Sequence, residues 1–586
     1  MQVIYLSITS IRSQQHHQQA GQQTPQQHTN NRDKFPVCGY NRPMSKTLTI
    51  TAGIISGILF LPVIALVFQS LSFHSMDNTF SELADTVLLD YVLNSIAIVA
   101  ITLIFSCLLA VAPAWWCARY EFKGRNYLQW AMVLPLAIPA YISAYIYTDM
   151  LDYAGPIQTS LRAWFGWQSP SDYFFFDIRS MTGASLMLAL ALSPYIYLLM
   201  RHSFANQSDH LEFAAKIMGA SSKRIFFGIR LKLARPALAI GCTLVAMETL
   251  ADFGTVHLFS ISTLTTAIYD SWLVYGSLAT AAKISCLLLL FVVSLVLFER
   301  WQRKDQGFLE TKGNNILTRK HTSKGQLAII WLVCGSIITL GFIIPVITLI
   351  GYTQGYLSEN LNPQLWQHAG NTFYLASIAA CICAVIAMLL NNNVRFSSNE
   401  RLNKVHQIQQ SIASMGYAIP GTVLAIGILI PLGFLDMQLN ELLEYFQAQP
   451  VGLFFSGTYF ALILAFVIRF AAIANGSINN GYQQIHGNLD MAAKSLHSNN
   501  TDVIKRIHLP LLKPSIITAL LLVFIECVKE LPASLLLRPF DFETLATFTY
   551  QYASDEQLEH GALAALLIII VSLIPIFILS KTQRMS

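Results

Sequence analysis

Twelve long apolar runs divide this chain, and they constrain its fold more than any other feature of the sequence. Each has about the 20 mainly apolar residues that a helix needs to cross a bilayer. Only 12% of the residues are charged, whereas a typical soluble domain has about 25%, so much of the surface must face lipid. The runs lie near residues 48–71, 91–115, 127–148, 181–201, 237–258, 279–299, 326–351, 369–390, 409–435, 453–474, 515–537 and 561–580. The sequence therefore predicts an all-α polytopic membrane protein with about 12 transmembrane helices in the lipid bilayer.

Residues 1–43 differ from the rest of the chain. They are rich in Gln, His and Asn and have almost no apolar periodicity. Such a composition cannot bury enough apolar surface to fold, so we expect a disordered polar tail. The net charge of +5 is modest and gives no reason to expect nucleic-acid binding. None of the nine cysteines has metal-ligand spacing with histidines, so no resident metal site is predicted.

Basic residues fix the predicted orientation. If the N-terminus is cytoplasmic, all but five of the 37 Lys and Arg residues fall on the cytoplasmic side of the twelve runs. Positive charge concentrates on that side of membrane proteins. The five exceptions are Arg162, Arg179, Lys283, Lys529 and Arg538. The asymmetry predicts that both termini are cytoplasmic.

The second half of the chain repeats the first. Residues 211–238 and 489–516 share eight identical positions at an offset of 278. Asn94-Ser95 matches Asn371-Thr372 at 277, and the Ala-Ile-Pro sequence at 137–139 recurs at 418–420. We therefore predict two homologous six-span halves, at 44–299 and 327–586, joined by a basic cytoplasmic linker at 300–326. Because each half crosses an even number of times, the repeats are parallel about an axis along the membrane normal.

Both copies of the most similar segment fall in predicted cytoplasmic loops. Each reads as a short helix, a polar break and a second stretch that ends at a proline, Pro236 or Pro514. In the first copy Glu212, Ala215 and Gly219 lie at helical spacing on one face, and small residues there would let another protein approach closely. We expect a docking element rather than an ordinary solvated loop.

These loops resemble the signature of binding-protein-dependent ATP-binding-cassette permeases, which is Glu-Ala-Ala, three residues, Gly and a later Leu-Pro. The resemblance implies a coupling helix that sits in a groove of the ATPase subunit. His497 replaces the glycine in the second copy, Lys232 replaces the proline in the first, and an acidic residue lies one position before the expected glutamate. The matching or equivalent positions are Glu212, Ala214, Ala215, Gly219, Pro236, Asp490, Ala492, Ala493, His497, Leu509, Pro510 and Pro514.

Residues 248–272 and 529–556 are more specifically similar to the fused permeases of ferric-iron importers. That resemblance implies the type I importer permease fold in a bacterial inner membrane. It also implies two copies of an ATPase subunit, which would hold ATP and Mg, and a periplasmic iron-binding protein. The chain has no G-x-x-x-x-G-K-[ST] phosphate loop and no nucleophile motif. We therefore expect a transport subunit that is not itself an enzyme and carries no cofactor.

Four carboxylates fall inside predicted spans. Glu248 and Asp252 in the fifth span match Glu526 and Glu530 in the eleventh at the same offset of 278. Each pair is spaced i, i+4, which predicts two carboxylates on one helical face. Ionisable groups inside a span usually line a path, and oxygen ligands suit a hard cation. The predicted translocation path consists of these four carboxylates and Lys529, which lowers their net negative charge. The alternative is a structural role, in which Lys529 neutralises its neighbours and Asp252 reaches water.

A third repeated pattern, T-L-x-T-x-x-Y, occurs at 263–269 and 544–550. These segments either face the periplasmic binding protein at symmetric positions, near Asp270 and Gln551, or are re-entrant packing elements. The cargo is open as well: related permeases carry thiamine, polyamines or phosphonates. An ion-coupled secondary transporter, with the carboxylates as proton relays, is a further alternative that the paired loops disfavour.

Overall fold

A computed structural model describes residues 46–71, 78–304, 320–357, 361, 363–397 and 400–584. The predicted tail at 1–43 lies outside the described residues, and so does the middle of the predicted linker, 305–319. Helices in the first part are α1 Lys46–Leu71, α2 Thr79–Thr86, α3 Leu88–Arg119, α4 Arg125–Ala131, α5 Ala140–Leu151, α6 Pro156–Phe165, α7 Met181–Asn206, α8 His210–Ile217, α9 Ser222–Ile225, α10 Leu231–Leu233, α11 Arg235–Ala251, α12 Gly254–Leu258, α13 Leu264–Leu273 and α14 Leu278–Lys304. Helices in the second part are α15 Lys324–Ile338, α16 Ile344–Gly355, α17 Pro363–Arg395, α18 Glu400–Ala413, α19 Gly421–Tyr445, α20 Tyr459–Gln484, α21 Gly487–Ser495, α22 Asn500–Val503, α23 Leu509–Val528, α24 Pro532–Leu537, α25 Leu545–Ser554 and α26 Leu558–Arg584.

Membrane-spanning helices account for most of the described chain. Ten helices are long and apolar enough to cross a membrane. Two further helix pairs, bent by 88° and 67°, would each complete another span, which gives up to twelve. The prediction of an all-α polytopic membrane protein is therefore confirmed.

Strand structure in the described residues is a single short parallel pair. β1 (Tyr120–Glu121), directly after α3, pairs with β2 (Lys320–His321). The Trp331 indole also donates to the Lys123 carbonyl at 3.3 Å. The C-terminal end of the predicted linker is thus fixed against the end of α3.

In the predicted fifth and eleventh spans, 237–258 and 515–537, the long helix ends before the predicted C-terminal end. α11 ends at Ala251, and Asp252 follows in an extended conformation with ψ 131°. α23 ends at Val528, and Pro532 then stands in the first turn of α24. Apolar residues continue through both breaks, so hydropathy alone does not reveal them.

The repeated Ala-Ile-Pro sequence marks a second break that both halves share. Pro139 precedes α5 with φ −53° and ψ 138°, and Pro420 precedes α19 with φ −56° and ψ 144°. Proline fixes φ and pushes the preceding residue out of the helical region. The two prolines therefore interrupt a helix at the same point of each predicted half.

The described chain forms two compact units that do not follow the predicted halves. The smaller contains the described residues up to Leu61 together with Ser377–Tyr417 and Phe466–Phe524. Its features include a small core of Phe396, Ala493 and Val503.

The larger unit contains Pro62–Ala376, Ala418–Ala465 and the described residues from Ile525. One of its apolar clusters combines residues of both predicted halves, among them Ile142, Phe253, Leu531 and Tyr550.

Candidate functional site

The repeated loops have the same backbone in both copies. Two residues after the last residue of each helix the backbone is left-handed: Gly219 follows α8 with φ +77°, and His497 follows α21 with φ +61°. Ala220 N–H donates to the Ala215 carbonyl at 2.9 Å, and Ser498 N–H donates to the Ala493 carbonyl at 3.1 Å. This is the pattern of a helix that stops with a left-handed residue, usually glycine. His497 therefore occupies the conformation that Gly219 adopts in the first copy.

Glu212 is the centre of a buried ion cluster in the first loop. Its carboxylate lies 2.6 Å from Arg230, 2.9 Å from Lys216 and 2.5 Å from Lys320. Burial alone would raise the pKa of Glu212, but hydrogen bonds from Lys320, Lys216 and Arg230 outweigh burial and lower that pKa to about 2. The carboxylate is therefore ionised at physiological pH, and its ion pairs hold α8 to Arg230 and Lys320.

The same cluster ties the loop to a span. Arg119, the last residue of α3, forms an ion pair with Asp209, and Arg230 lies 2.9 Å from the same carboxylate. Both arginine side chains are buried, at 1–2% exposure. Buried charges require such partners, so movement of α8 must be transmitted to the end of α3 or break the cluster.

The second loop repeats this arrangement with different residues. Asp490 lies 2.7 Å from Arg395, at the end of α17, and 2.8 Å from His508. Arg230 and His508 are 278 residues apart, the offset of the repeat, and each lies in a turn of π-helix, Phe226–Arg230 or Ile504–His508. The sequence analysis missed these partners, although alignment at 278 pairs Arg230 with His508 and so could have found them.

The small-residue face that the sequence predicts as a docking element is partly exposed and partly buried, and docking through it stays a prediction. Gly219 is exposed. Ala215 is 3% exposed and Ala493 is 7% exposed, and Glu212 is buried as well. They face inward because the acidic residue on that side of each helix binds its buried cations. The outward side carries Ala214 or Ala492 and large apolar residues. These are Leu211, Phe213, Ile217 and Met218 in the first loop, and Leu489, Met491 and Leu496 in the second.

Prolines begin the long helices that follow the loops. Pro236 stands in the first turn of α11, after a bend of 67° from the preceding helix. Pro510 stands in the first turn of α23, whereas Pro514, which matches Pro236 in sequence, lies inside α23. The two loops therefore meet their spans differently, which sequence repetition did not predict.

Carboxylates of the predicted path divide into two types. Glu248 and Glu526 lie within α11 and α23, and Glu526 pairs with Lys529 at 3.1 Å. Asp252 and Glu530 lie beyond the ends of these helices. The prediction that each i, i+4 pair shares one helical face is therefore wrong.

Asp252 and Glu530 instead cap the next short helix. The Asp252 carboxylate accepts from Thr255 N–H at 2.9 Å and from Val256 N–H at 3.2 Å. Glu530 accepts from Ala533 N–H at 3.2 Å. Capping satisfies amide groups that a helix start leaves without partners, and it explains why an acid recurs at both breaks.

The T-L-x-T pattern is a helix start. In α13 and α25 the first threonine, Thr263 or Thr544, and the second, Thr266 or Thr547, form a reciprocal capping box. Leu264 and Leu545 are fully buried. The pattern residues therefore act in packing, as the re-entrant alternative expects, and docking of a partner on these helices stays a prediction.

A second repeated pair holds these helices. Asn94 donates to the Ser262 carbonyl at 3.0 Å, and the Ser95 hydroxyl accepts from Leu264 N–H at 2.9 Å. In the other half Asn371 donates to the Glu543 carbonyl at 3.2 Å. The Thr372 hydroxyl likewise accepts from Leu545 N–H at 2.8 Å. Two repeated sequences that are far apart in the chain thus meet in the same way in each half.

Tyrosines of the repeated pattern lie beside a histidine. The Tyr550 hydroxyl lies 2.8 Å from His257 Nδ1. The His257 ring centroid is 6.2 Å from that of Tyr550 and 6.2 Å from that of Tyr269. Asp270 follows Tyr269 in α13 and is partly buried. We call His257, Tyr269, Asp270 and Tyr550 the tyrosine cluster; among its members, the sequence analysis did not single out His257.

Resident metal sites of the usual kind do not occur in the described residues, where no group of three or more His, Cys, Asp or Glu side chains is arranged to hold a metal ion. The tyrosine cluster falls outside that class because two of its four side chains are phenols.

Comparison with known proteins identifies the family. The family model described as "Binding-protein-dependent transport system inner membrane component" matches residues 108–304. The molybdenum transport system permease protein ModB of Haemophilus influenzae is 30% identical over 218 residues, which are 36% of this chain and 91% of that protein.

Longer alignments are found with ferric permeases. The Fe(3+)-transport system permease protein FbpB 2 of Haemophilus influenzae is 24% identical over 490 residues, 80% of this chain and 86% of that protein. The ferric transport system permease protein FbpB of Actinobacillus pleuropneumoniae is 23% identical over 488 residues, 78% of this chain and 66% of that protein. With its apolar helices and paired loops, this multi-pass membrane protein belongs to the family of binding-protein-dependent transport system inner membrane components.

Proposed function

We propose that the chain is the fused permease subunit of an ATP-driven importer of ferric iron. The observation that carries this proposal is the alignment of 80% of the chain with a Fe(3+)-transport permease. Residues 44–299 and 327–586 would form the two halves, with the linker at 300–326 and both termini in the cytoplasm. The duplicated loops, breaks and capping boxes support the two-half organisation.

The repeated loops would dock two copies of an ATPase subunit, one on each loop. Phe213, Ile217 and Met218 expose 52%, 87% and 80% of their surface on α8 and its C-terminal turn, and Met491 and Leu496 expose 64% and 79% on α21 and its C-terminal turn. Exposed apolar side chains grouped on one helix mark interaction sites. ATP and Mg would bind to those ATPase subunits, so that this chain needs no cofactor and carries out no hydrolysis itself. A periplasmic binding protein would deliver the cargo.

Molybdate is the second candidate cargo, because the molybdenum permease has the higher identity, 30%. The charges of the predicted path favour a cation. Glu248, Asp252, Glu526 and Glu530 offer four carboxylates against the single Lys529, and an oxyanion would be repelled by them. Thiamine, polyamines and phosphonates are less favoured because the similarity to the ferric permeases covers most of the chain.

Uptake of radioactive ferric iron tests the proposal. Cells that express the permease with its ATPase and binding protein should accumulate iron, and excess molybdate or thiamine should not compete. Uptake should persist when a protonophore collapses the proton gradient while ATP is maintained. Accumulation of molybdate instead of iron would refute the cargo, and uptake that stops with the proton gradient would refute the ATP-driven mechanism.

A further inference from the structure

The tyrosine cluster lies where the two predicted halves touch. His257 belongs to α12 and Tyr269 to α13, both in the first half, whereas Tyr550 belongs to α25 in the second. Phe253 packs against both tyrosines, with ring centroids 4.5 Å from Tyr269 and 5.9 Å from Tyr550. Tyr550 is 6% exposed, but His257 is exposed. The cluster therefore joins residues of both predicted halves and is open at His257.

Ligand chemistry of the cluster suits a hard trivalent cation. Phenol and carboxylate oxygens are hard donors, and imidazole also binds iron. Tyrosine is an established ligand of ferric iron in haem proteins. The four side chains thus supply three oxygen donors and one nitrogen donor of types that ferric iron accepts, and none is a permanent cation.

The closest pair in the cluster has the spacing of two ligands on one ion. Two donors at adjacent positions of an octahedral ion, each about 2.0 Å from the metal, lie about 2.8 Å apart. The Tyr550 oxygen and His257 Nδ1 are 2.8 Å apart. Replacement of the shared proton by an ion would therefore need little movement of either donor.

We propose that His257, Tyr269, Asp270 and Tyr550 bind ferric iron transiently as it enters the permease. This inference rests on the proposed function and gives it a site. When iron binds, an Fe–O bond forms at Tyr550, the phenol proton passes to water, and one ligand of the incoming ion leaves. When iron moves on, that Fe–O bond breaks and water returns the proton to the phenol. No electron is transferred.

Brief residence follows from the hydrogen bond within the cluster. The Tyr550 hydroxyl and His257 Nδ1 already satisfy each other at 2.8 Å, so a bound ion must replace this hydrogen bond and the bond forms again when the ion leaves. A transport site needs binding that is strong enough to admit the ion and weak enough to release it.

Absorption spectroscopy tests the site directly. Purified permease in lipid nanodiscs, titrated with ferric nitrilotriacetate, should develop the visible charge-transfer band of phenolate bound to ferric iron. Tyr550→Phe and Tyr269→Phe should each weaken the band by about half, and the double variant should abolish it. His257→Leu should weaken iron binding roughly tenfold. Tyr552→Phe is the matched control, because Tyr552 lies on the same helix but packs on Phe548 and His560.

The outcomes of the titration and of the uptake assay distinguish failure of the iron site from failure of the proposed function. A wild-type permease without the band, or a double variant that keeps it, overturns the site even if the complete transporter imports iron. If the transporter does not import iron, the proposed function fails whatever the spectrum shows. Thermal unfolding of each variant reports folding. If Tyr550→Phe does not fold, Asp270→Asn serves in its place and should also weaken the band, so an unchanged band in that variant also overturns the site.

Discussion

At the residue scale, Glu212 shows why the repeated loops carry an acid. A buried carboxylate is costly unless cations surround it, and here three cationic side chains lie within 2.9 Å. Removal of one partner from a buried ion cluster usually costs more than the cluster contributes, since the remaining charges lose their compensation. The acid therefore fixes the inward side of α8, and the docking surface that we propose lies on the other side of the helix.

Glu212→Gln should destabilise the permease by about 3 kcal/mol. Because the pKa of this carboxyl falls from 4.5 to about 2 on folding, its stabilising contribution is complete above 4.5 and is lost as pH falls toward 2. The difference in melting temperature between wild type and variant should thus stay constant from about pH 8 to about pH 5. Thermal unfolding in nanodiscs measures it, and exposed Glu82→Gln is the control. A difference that disappears between these pH values would contradict the cluster.

Only part of this cluster could be predicted from the sequence. Lys216 is four residues after Glu212, and a helix places such residues together. Arg230 lies beside Glu212 because the chain turns at Gly219 and again at the π-helical segment Phe226–Arg230. Lys320 is 108 residues away in sequence, beyond any local pattern. Long-range ion pairs depend on tertiary packing, which periodicity and spacing in the sequence do not indicate.

At the element scale, α8 and α21 each have two faces with different tasks. The inward face packs small residues against the chain: Ala493 lies in a core with Phe396 and Val503. The outward face presents larger apolar residues, such as Phe213 and Met491. Sequence analysis assigned the alanines to docking because small residues permit close approach. That reason holds, but the surface that approaches closely belongs to this same chain.

Substitutions on the two faces should separate folding from docking. Ala215→Leu overfills a buried site and should cost about 1–3 kcal/mol of stability. Phe213→Ser and Met218→Ser should leave the melting temperature unchanged but reduce the amount of ATPase subunit that co-purifies. If Ala215→Leu instead releases the ATPase at full stability, the alanine face is the docking face after all.

Lys320 makes the first loop different from the second, because a linker residue reaches Glu212 but the described residues around Asp490 include no linker contact. Lys320→Ala should therefore loosen α8 alone. Hydrogen exchange should become faster at 210–217 while 487–495 serves as an internal control within the same molecule. Thr322→Val, at the neighbouring linker position that bonds the Glu121 carbonyl, is a weaker perturbation of the same region. Equal acceleration in both loops would show that Lys320 acts on the whole fold.

At the scale of the whole molecule, repetition in the sequence becomes repetition of specific contacts. The Asn-Ser and Asn-Thr pairs hold α13 and α25, the Ala-Ile-Pro prolines break corresponding helices, and an acid caps the chain after each of α11 and α23. Departures from symmetry are equally specific. His508 replaces Arg230, and Lys529 stands where the first half has Ala251. The two halves thus share these contacts, whereas individual charged residues differ between them.

The repeated carboxylates Glu248 and Glu526 predict that both halves contribute to the cargo path. They lie inside α11 and α23 at the repeat offset of 278, and a carboxylate attracts a passing cation. Glu248→Gln and Glu526→Gln should therefore each reduce iron uptake, and the double variant should reduce it most. ATP hydrolysis by the assembled transporter should be largely retained in all three.

The control for this series is Lys529→Met, which removes the ammonium group from Glu526. If the lysine moderates the path, this variant should bind iron more tightly and release it more slowly, so that uptake falls while bound iron rises. Both quantities come from one filter assay with radioactive iron, and size-exclusion chromatography confirms assembly. Normal uptake by the Glu248→Gln, Glu526→Gln double variant would mean that these carboxylates are structural and that iron follows another route. A double variant that fails to assemble would show only that these carboxylates hold the helices together.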